Sequence, residues 1–320
     1  MKPKVDYMRV SVTDLCNLRC VYCMPPDGVR RMSHGEILRY EEIERLVRVA
    51  SGMGISRVRI TGGEPIVRSG VVHLVELLGG IEGITDISLT TNGHLLPGCA
   101  RSLKSAGVRR VNISLDSLRG DRYRKITRVG SIEGALAGIE AALACDFDEV
   151  KVNVVVIRGI NDDEVEDFLV FAGERGIVPR FIEFMPVSMR SVPGGDGFIP
   201  MDEIRLEMER SHSMEPAGAA LGAGPAVYYL LDGGPSMVGL IAPVSRGFCR
   251  TCNRLRLTAD GKLRPCLMSD EEIDVKGPLR SGASDGEIGV IFRRAIEGKS
   301  FTCDFERVSP CGRKMVEIGG

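Results

Sequence analysis

The stretch that decides the fold is RVSVT at residues 9–13, followed at once by DLCNLRCVYC at residues 14–23. The first five residues are rich in β-branched side chains, which predicts a short β-strand. The ten residues after them place Cys16, Cys20 and Cys23 in one loop. A strand that leads into a chemically active loop is typical of parallel α/β folds, where functional residues follow the strands.

Strand-like runs of the same kind recur along the chain, separated by stretches with apolar residues at helical spacing. We predict six strands, at Arg9–Thr13, Arg57–Thr61, Asp86–Thr91, Arg110–Leu115, Glu149–Ile157 and Arg180–Phe184. Helices are predicted between them, at Tyr40–Ser51, Val71–Leu78, Cys99–Ala106, Ser131–Cys145 and Asp162–Arg175. This alternation predicts a parallel sheet with outer helices. Because a closed barrel usually has eight units, we expect an incomplete, TIM-like (β/α)6 barrel.

The alternation stops near residue 186, and shorter strands separated by glycine-rich turns follow. They are predicted at Tyr228–Leu231, Met237–Ile241 and Arg254–Leu257. We therefore expect a partial barrel over residues 1–200 and a smaller α+β module over residues 201–320. The module carries the second group of cysteines.

Composition and charge narrow the class of protein without naming an activity. The 320 residues are 43% hydrophobic and 27% charged, with a net charge of −1, which argues against a broadly basic nucleic-acid surface. No apolar run reaches the ~18 residues that span a bilayer, and the first ten residues lack the apolar core of a signal peptide. We expect a cytoplasmic protein, whose ten cysteines favour metal ligands over disulfides.

The first cysteine group has the spacing C-x3-C-x2-C. Three thiolates can hold three irons of a four-iron cluster and leave the fourth iron open to a substrate. The alternative is zinc, but zinc sites favour C-x2-C pairs that face a second pair or histidines. No nearby histidine completes such a site here.

The second group comprises Cys249, Cys252 and Cys266, again three cysteines. Zinc is a stronger alternative here, because C-x2-C is a common zinc half-site. Cys303 or Cys311 could supply a fourth ligand, so the sequence leaves open whether this second site is closed.

The first cysteine group, with Tyr22 before its third cysteine, resembles the radical S-adenosylmethionine superfamily. The run TGGEP at residues 61–65 resembles the glycine-rich motif of that superfamily. The resemblance implies a [4Fe–4S] cluster that opens S-adenosylmethionine. It also implies contacts to this cosubstrate from Tyr22, Gly63, Ser114 and Met185.

Further segments resemble the GTP 3′,8-cyclase family of molybdenum cofactor biosynthesis. They are RVSVTD at 9–14, TTNG at 90–93, NISLD at 112–116, KVN at 151–153, RFIEFM at 180–185, GFCRTCNRLR at 247–256 and GG at 319–320. The resemblance implies that a 5′-deoxyadenosyl radical takes hydrogen from C3′ of GTP, and that the new carbon radical attacks C8. Leu15 and Arg57 depart from the family pattern, which has an arginine and a lysine there.

The same resemblance implies a second three-cysteine [4Fe–4S] cluster that binds the purine, and a tail that enters the active site. GTP contacts are implied for Arg9, Arg59, Thr90, Lys151, Arg254, Leu255 and Arg256, and catalytic roles for Arg254, Arg256, Gly319 and Gly320. Arg254 and Arg256 alternate along a predicted strand, so they should point to one face. Arg180 is a weaker candidate for the pocket.

We expect an electron donor such as flavodoxin or ferredoxin, no nucleic-acid or membrane partner, and a monomer or homodimer. One alternative is a peptide-modifying radical enzyme, whose C-terminal module also carries clusters. Another is an electron-transfer or zinc-stabilised binding protein with fully ligated sites. A P-loop nucleotide-binding protein is excluded, because the chain has no G-x4-G-K-[ST] run.

Overall fold

A computed structural model describes residues 4–185, 197–218, 224–301 and 312–319. Six strands and six helices make up its first part. The strands are β1 (Tyr7–Ser11), β2 (Arg57–Thr61), β3 (Asp86–Thr91), β4 (Val108–Ser114), β5 (Glu149–Val156) and β6 (Val178–Glu183). The helices are α1 (Tyr40–Ser51), α2 (Val71–Gly79), α3 (Ala100–Ala106), α4 (Gly120–Thr127), α5 (Ile132–Leu143) and α6 (Val165–Arg175).

The six strands lie side by side in chain order, and every neighbouring pair is parallel. The expected α/β fold with a partial parallel barrel is thereby confirmed. None of the helices in the described ranges is long and apolar enough to cross a membrane.

The later part of the chain adds strands to both edges of this sheet. It contains α7 (Met201–Met208), β7 (Met214–Pro216), β8 (Val227–Leu231), β9 (Met237–Ile241), β10 (Arg254–Leu257), β11 (Lys262–Arg264), β12 (Ile273–Asp274), α8 (Lys276–Arg280) and α9 (Asp285–Glu297). Strand β10 pairs in parallel with β1, and β9 pairs in parallel with β6. Eight consecutive strands are therefore parallel, and β11, β12, β8 and β7 continue the sheet as antiparallel strands. The domain boundary at residue 200 stays a prediction.

The two faces of the sheet differ in chemistry. Met8 and Val10 of β1 are fully buried in the hydrophobic core, together with Ile43 and Leu46 of α1. Their neighbours Tyr7 and Arg9 point to the opposite, concave face, because successive strand residues alternate. The core thus lies between the sheet and its helices, and polar side chains face the inside of the curved sheet.

Candidate active site

Both cysteine groups line one cavity on the concave face of the sheet. The cavity has a volume of about 330 Å³, and Cys16, Cys20, Cys23, Cys249, Cys252 and Cys266 are all among its walls. Residues 16–23 and 249–266 are far apart in sequence, and the pairing of β1 with β10 brings them together. The fold therefore makes one site from the two groups.

The first cysteine loop follows β1 and rests on helix α4. The backbone N–H groups of Arg19 and Val21 donate to the carbonyls of Thr127 and Ile126, at 3.0 and 2.9 Å. Burial, with a smaller contribution from Cys16 nearby, raises the pKa of Cys23 to about 12. Three half-buried cysteines in one short loop suit a cationic iron–sulfur group, since bound metal stabilises the thiolate form.

The TGGEP motif is hydrogen-bonded to the backbone segment that leads into this loop. The N–H groups of Gly63 and Glu64 donate to the carbonyls of Thr13 and Leu15, both at 2.7 Å. A Cβ atom on Gly63 would lie only 2.3 Å from the Leu15 carbonyl oxygen. Gly63 is therefore required by the close approach of two backbones, in addition to lining the cavity.

Glu64 joins this motif to the end of β3. Its buried carboxylate accepts from the hydroxyl of Thr91 at 2.8 Å and from the backbone N–H of Asn92 at 2.7 Å. The Asn92 amide in turn approaches Cys16 Sγ at 3.8 Å. Burial raises the pKa of Glu64 to about 7. The end of β3 is thus tied to the first cysteine loop through one carboxylate.

Tyr22 is fixed by Asp116, which follows β4. The tyrosine hydroxyl donates to Asp116 Oδ2 at 2.5 Å, and the N–H of Val155 donates to Oδ1 at 2.8 Å. Burial raises the pKa of Asp116 to about 6. Tyr22, Gly63, Ser114 and Met185 all line the cavity, so the structure brings the four predicted cosubstrate residues together.

The second cysteine group surrounds the start of β10. Lys299 lies beside it and donates to the carbonyls of Arg254 and Pro265, at 2.9 and 2.6 Å. Although burial alone would raise the pKa of Cys252, the charges of Arg254 and Lys299 lower it to about 7. This cationic setting favours thiolates, which are the form that binds metal.

A single-ion zinc site gains no support from the described ranges. Within them, no three His, Cys, Asp or Glu side chains converge in a way that could hold one metal ion. Cys303 and Cys311, the candidate fourth ligands, lie outside the described residues.

Three arginines form a row across neighbouring strands on the concave face. In the strand register Arg9 of β1 lies between Arg256 of β10 and Arg59 of β2. Burial, together with the charge of Arg254, lowers the pKa of Arg256 to about 10. Neither Arg59 nor Arg256 has a carboxylate partner in the described part of the chain. One buried and two half-buried cations side by side in a cavity wall call for an anionic ligand.

The chain's tail reaches this arginine row. The Gly319 carbonyl accepts from Arg9, Arg256 and the Thr61 hydroxyl, at 3.1, 3.3 and 3.2 Å. Gly319 has a φ of +79°, a conformation that favours glycine. Gly319 thus contacts two of the arginines predicted to bind GTP, its catalytic role stays a prediction, and Gly320 lies outside the described residues.

Comparison with known proteins identifies the family. The profile of the Radical SAM superfamily matches residues 10–172, and that of Molybdenum Cofactor Synthesis C matches residues 177–305. A protein of Moorella thermoacetica named GTP 3′,8-cyclase is 51% identical over 317 residues, which cover 99% of this chain and 98% of the relative. The chain belongs to the GTP 3′,8-cyclase family. The GTP 3′,8-cyclase of Heliobacterium modesticaldum is also 51% identical, over 319 residues, with the same coverage.

Solved structures share the fold of this cyclase-family chain at much lower identity. SuiB of Streptococcus suis bound to precursor peptide SuiA gives a TM-score of 0.61 at 13% identity, covering 83% of this chain and 60% of SuiB. Native anSMEcpe with bound AdoMet gives a TM-score of 0.55 at 15% identity, covering 84% of this chain and 77% of that one. At such identities the likeness concerns the fold alone.

Two residues implied by the cyclase-family pattern do not present their side chains to the cavity. Leu255 is fully buried in the hydrophobic core, because it alternates with Arg254 and Arg256 and faces the helices. Lys151 is also buried, with its ammonium 2.5 Å from Glu149 Oε2. Burial, with the nearby charge of Arg180, lowers the pKa of Lys151 to about 8. Any contact from Leu255 to GTP must therefore come from its backbone.

The structure adds a residue that sequence reasoning missed. Tyr7 lines the cavity, and its buried hydroxyl has no hydrogen-bond partner among the residues that the structure describes. The guanidinium of Arg59 lies 5.5 Å from the centre of its ring. The hydroxyl of Thr90, a predicted GTP contact beside the cavity, is likewise buried without a partner in the described ranges. Tyr7 was missed because it precedes Arg9, the predicted start of β1. Strand alternation could have identified it, since residues 7 and 9 of one strand point to the same face.

Proposed function

We propose that this protein converts GTP to (8S)-3′,8-cyclo-7,8-dihydroguanosine 5′-triphosphate, the first step of molybdenum cofactor biosynthesis, with S-adenosylmethionine as cosubstrate. The observation that carries the proposal is a single cavity lined by both cysteine groups, with an arginine row in its wall. Relatives 51% identical over nearly the whole chain carry the name of this activity.

Cys16, Cys20 and Cys23 would hold the [4Fe–4S] cluster of the radical S-adenosylmethionine family. Their shared loop and the Asn92 amide directed at Cys16 fit such a group, because hydrogen bonds to ligating sulfur tune these clusters. When bound, the cluster supplies the electron that cleaves S-adenosylmethionine. Tyr22, Gly63, Ser114 and Met185 would orient the cosubstrate, and Asp116 holds the Tyr22 ring in place.

Cys249, Cys252 and Cys266 would hold a second [4Fe–4S] cluster with one iron free for a purine nitrogen. The lowered pKa of Cys252 beside Arg254 and Lys299 fits a thiolate ligand. Fixing the base at one place and the cosubstrate at another is what intramolecular ring closure needs, since orientation lowers the barrier.

The anionic triphosphate would be bound by Arg9, Arg59, Arg254 and Arg256, with the Thr90 hydroxyl as a further donor. These groups line one wall of the cavity, and arginine suits phosphate because its planar fork donates two hydrogen bonds. Lys151 would add positive charge from beneath this wall. A direct contact would require its ammonium to leave Glu149.

The partners and location follow from this chemistry. The cluster needs a one-electron donor, for which we propose flavodoxin or ferredoxin. The cysteine content favours the cytoplasm, where thiols stay reduced. We retain a monomer or homodimer as the assembly.

The test is anaerobic turnover of the reconstituted protein with S-adenosylmethionine, a strong reductant and GTP deuterated at C3′. We expect deuterium in 5′-deoxyadenosine and a cyclised nucleotide by mass spectrometry. Cys16→Ala should lose cosubstrate cleavage, whereas Cys99→Ala, at a cysteine outside the cavity, should keep it. Cleavage without label transfer would reject GTP as substrate and favour the peptide-modifying alternative.

A further inference from the structure

The segment that ends in Gly319 is anchored well outside the arginine row. Arg313 donates to Asp260 Oδ1 and Oδ2, at 3.0 and 2.8 Å, in a bidentate ion pair. The same guanidinium reaches Glu272 Oε2 at 2.7 Å. Asp260 lies in the turn between β10 and β11, and Glu272 lies just before β12. Arg313 therefore ties the tail to the hairpin that also carries Arg254 and Arg256.

Beyond this anchor the tail makes one short turn and then enters the cavity wall. The Glu317 carboxylate accepts from the backbone N–H of Lys314 at 2.6 Å, which closes the turn Met315–Glu317. Val316 and Ile318 are buried, and Ile318 packs in a small cluster with Met268. Burial of these two apolar side chains thus holds the tail against the rest of the protein.

The buried part of the tail contacts both halves of the proposed active site. The backbone N–H of Val316 lies beside the thiol of Cys23 in the first cysteine loop, where it opposes the burial that raises the pKa of that thiol. The carbonyl of Gly319, three residues later, accepts from Arg9 and Arg256 in the arginine row. One short segment therefore lies against both the first cysteine group and the arginine row.

These two contacts depend on the register of the tail. A shift by one residue would take the Gly319 carbonyl away from Arg9 and Arg256 and bring a neighbouring residue to its place. The backbone contacts alone do not select a register, because every residue has an N–H and a carbonyl. An anchor that recognises one particular side chain does select it.

We propose that Arg313 is a positioning residue, whose ion pairs with Asp260 and Glu272 set the register in which Val316 meets Cys23 and Gly319 meets Arg9 and Arg256. The inference deepens the proposed GTP cyclisation and rests on it for its catalytic consequence. Arginine suits this task, since its rigid fork fixes both the position and the direction of a carboxylate partner. The charge of Arg313 also lowers the pKa of Asp260, against the effect of burial.

The test compares Arg313→Met with Arg158→Met in the holoenzyme reconstituted with iron and sulfide. Arg158 forms a similar bidentate pair with Glu203 at the surface, and it does not line the cavity. Hydrogen–deuterium exchange of the peptide containing residues 312–319 should quicken at least tenfold in Arg313→Met only. Melting temperature and cluster content should match the wild type in both variants.

Kinetics then test the consequence for the reaction. Arg313→Met should lower kcat for GTP cyclisation at least tenfold, while cleavage of S-adenosylmethionine continues. Arg313→Lys should recover part of both readouts, because it keeps the charge and loses the fork. Unchanged tail exchange, or full cyclisation with a freed tail, would overturn the proposal.

A second variant serves if Arg313→Met impairs folding. The exchange measurement also distinguishes failure of this proposal from failure of the proposed function. If Arg313→Met lowers the melting temperature, Asp260→Asn removes the partner charge at nearly constant size, and its tail exchange decides the matter by the same criterion. If the wild type fails to cyclise GTP while Arg313→Met still frees the tail, the proposed function fails and the anchoring role stands.

Discussion

Gly63 is a glycine because a carbonyl oxygen occupies the space where a side chain would begin. Its absent Cβ would lie 2.3 Å from the oxygen of Leu15, the residue before Cys16. Gly63→Ala should therefore push the first cysteine loop away from β2, since the contact is with backbone and has no flexible side chain to move. We expect the first cluster to be lost, with iron falling to about half of its wild-type content per chain.

The control for this variant is Gly98→Ala, where nothing lies within 4 Å of the added carbon. It should load iron like the wild type. Full iron content in Gly63→Ala, measured after anaerobic reconstitution, would show that the close contact between the Gly63 and Leu15 backbones does not determine the position of the first cysteine loop.

Tyr7 offers an unused hydroxyl to the cavity. Because hydrogen bonds to charged groups contribute about 1.5–3 kcal/mol, Tyr7→Phe should weaken GTP binding about tenfold or more if this hydroxyl meets the triphosphate. S-adenosylmethionine binding should stay unchanged. Calorimetric titration with GTP measures the effect, with Tyr40→Phe, at a half-buried tyrosine outside the cavity, as control. Equal affinities of Tyr7→Phe and the wild type would exclude the contact.

The residues of the site differ in how far sequence alone predicts them. The cysteines and Arg254 with Arg256 follow from spacing and strand alternation, which are local properties. Glu64 and Asp116 stand inside recognised motifs, but their roles depend on partners such as Asn92 and Tyr22 across the sheet. Leu255 shows why the family's GTP-contact stretch cannot be transferred to this chain as a continuous range. Strand residues alternate, so its side chain points into the hydrophobic core while those of Arg254 and Arg256 do not.

Glu183 at the end of β6 connects three elements. Its carboxylate accepts from the N–H of Met201 at the start of α7 at 2.8 Å, and from the N–H groups of Val244 and Ser245 after β9 at 2.8 and 3.0 Å. A buried carboxylate with several donors holds these elements in register.

Glu183→Gln should lower the free energy of unfolding by about 2 kcal/mol, because the amide has one acceptor oxygen where the carboxylate has two. Anaerobic urea denaturation measures this loss. Glu203→Gln, at the exposed partner of Arg158, should cost under about 1 kcal/mol. Equal losses of unfolding free energy in the two variants would contradict the view that Glu183 holds β6, α7 and the segment after β9 together.

The accuracy of the predicted elements depended on how clearly apolar residues mark them. Strands β2, β3, β9 and β10 and helix α1 match their predicted bounds, because their apolar residues recur at the spacing of a strand or a helix. Helix α4 was missed, since its sequence GDRYRKIT is mostly polar and only Tyr123, Ile126 and Thr127 are buried. Its position is fixed by the cysteine loop that it supports. Helix α9 carried a readable signal, the capping box of Ser284 and Glu287.

In the whole molecule, the pairing of strands at the two edges of the six-stranded sheet cannot be predicted from local sequence patterns. Strand β10 joins β1 at one edge and β9 joins β6 at the other. The sequence predicted a separate C-terminal module, because its strands are short and follow glycine-rich turns. Pairing between residues such as Tyr7 and Arg254 depends on tertiary contacts, and it brings Arg254 and Arg256, the proposed nucleotide ligands, into the same cavity as the first cysteine loop.

The tail is the second feature that belongs to this scale. Removing Gly319 and Gly320 should abolish cyclisation and leave both clusters assembled, because the carbonyl that meets Arg9 and Arg256 is lost while all six cysteines remain. Product analysis by mass spectrometry, together with iron and sulfide content, checks both halves of this expectation. Unchanged turnover in the truncated protein would refute it.

The pairing of β1 with β10 also sets the order in which a growing polypeptide acquires its parts. At roughly 5–20 residues per second, translation from β2 to β10 takes about 10–40 s, and during that time the first strand has an open edge. Open strand edges are where nascent chains associate wrongly. The first cysteine loop is therefore synthesised early and Arg254 and Arg256 of β10 late, so the cavity stays incomplete until the C-terminal part of the chain has been made.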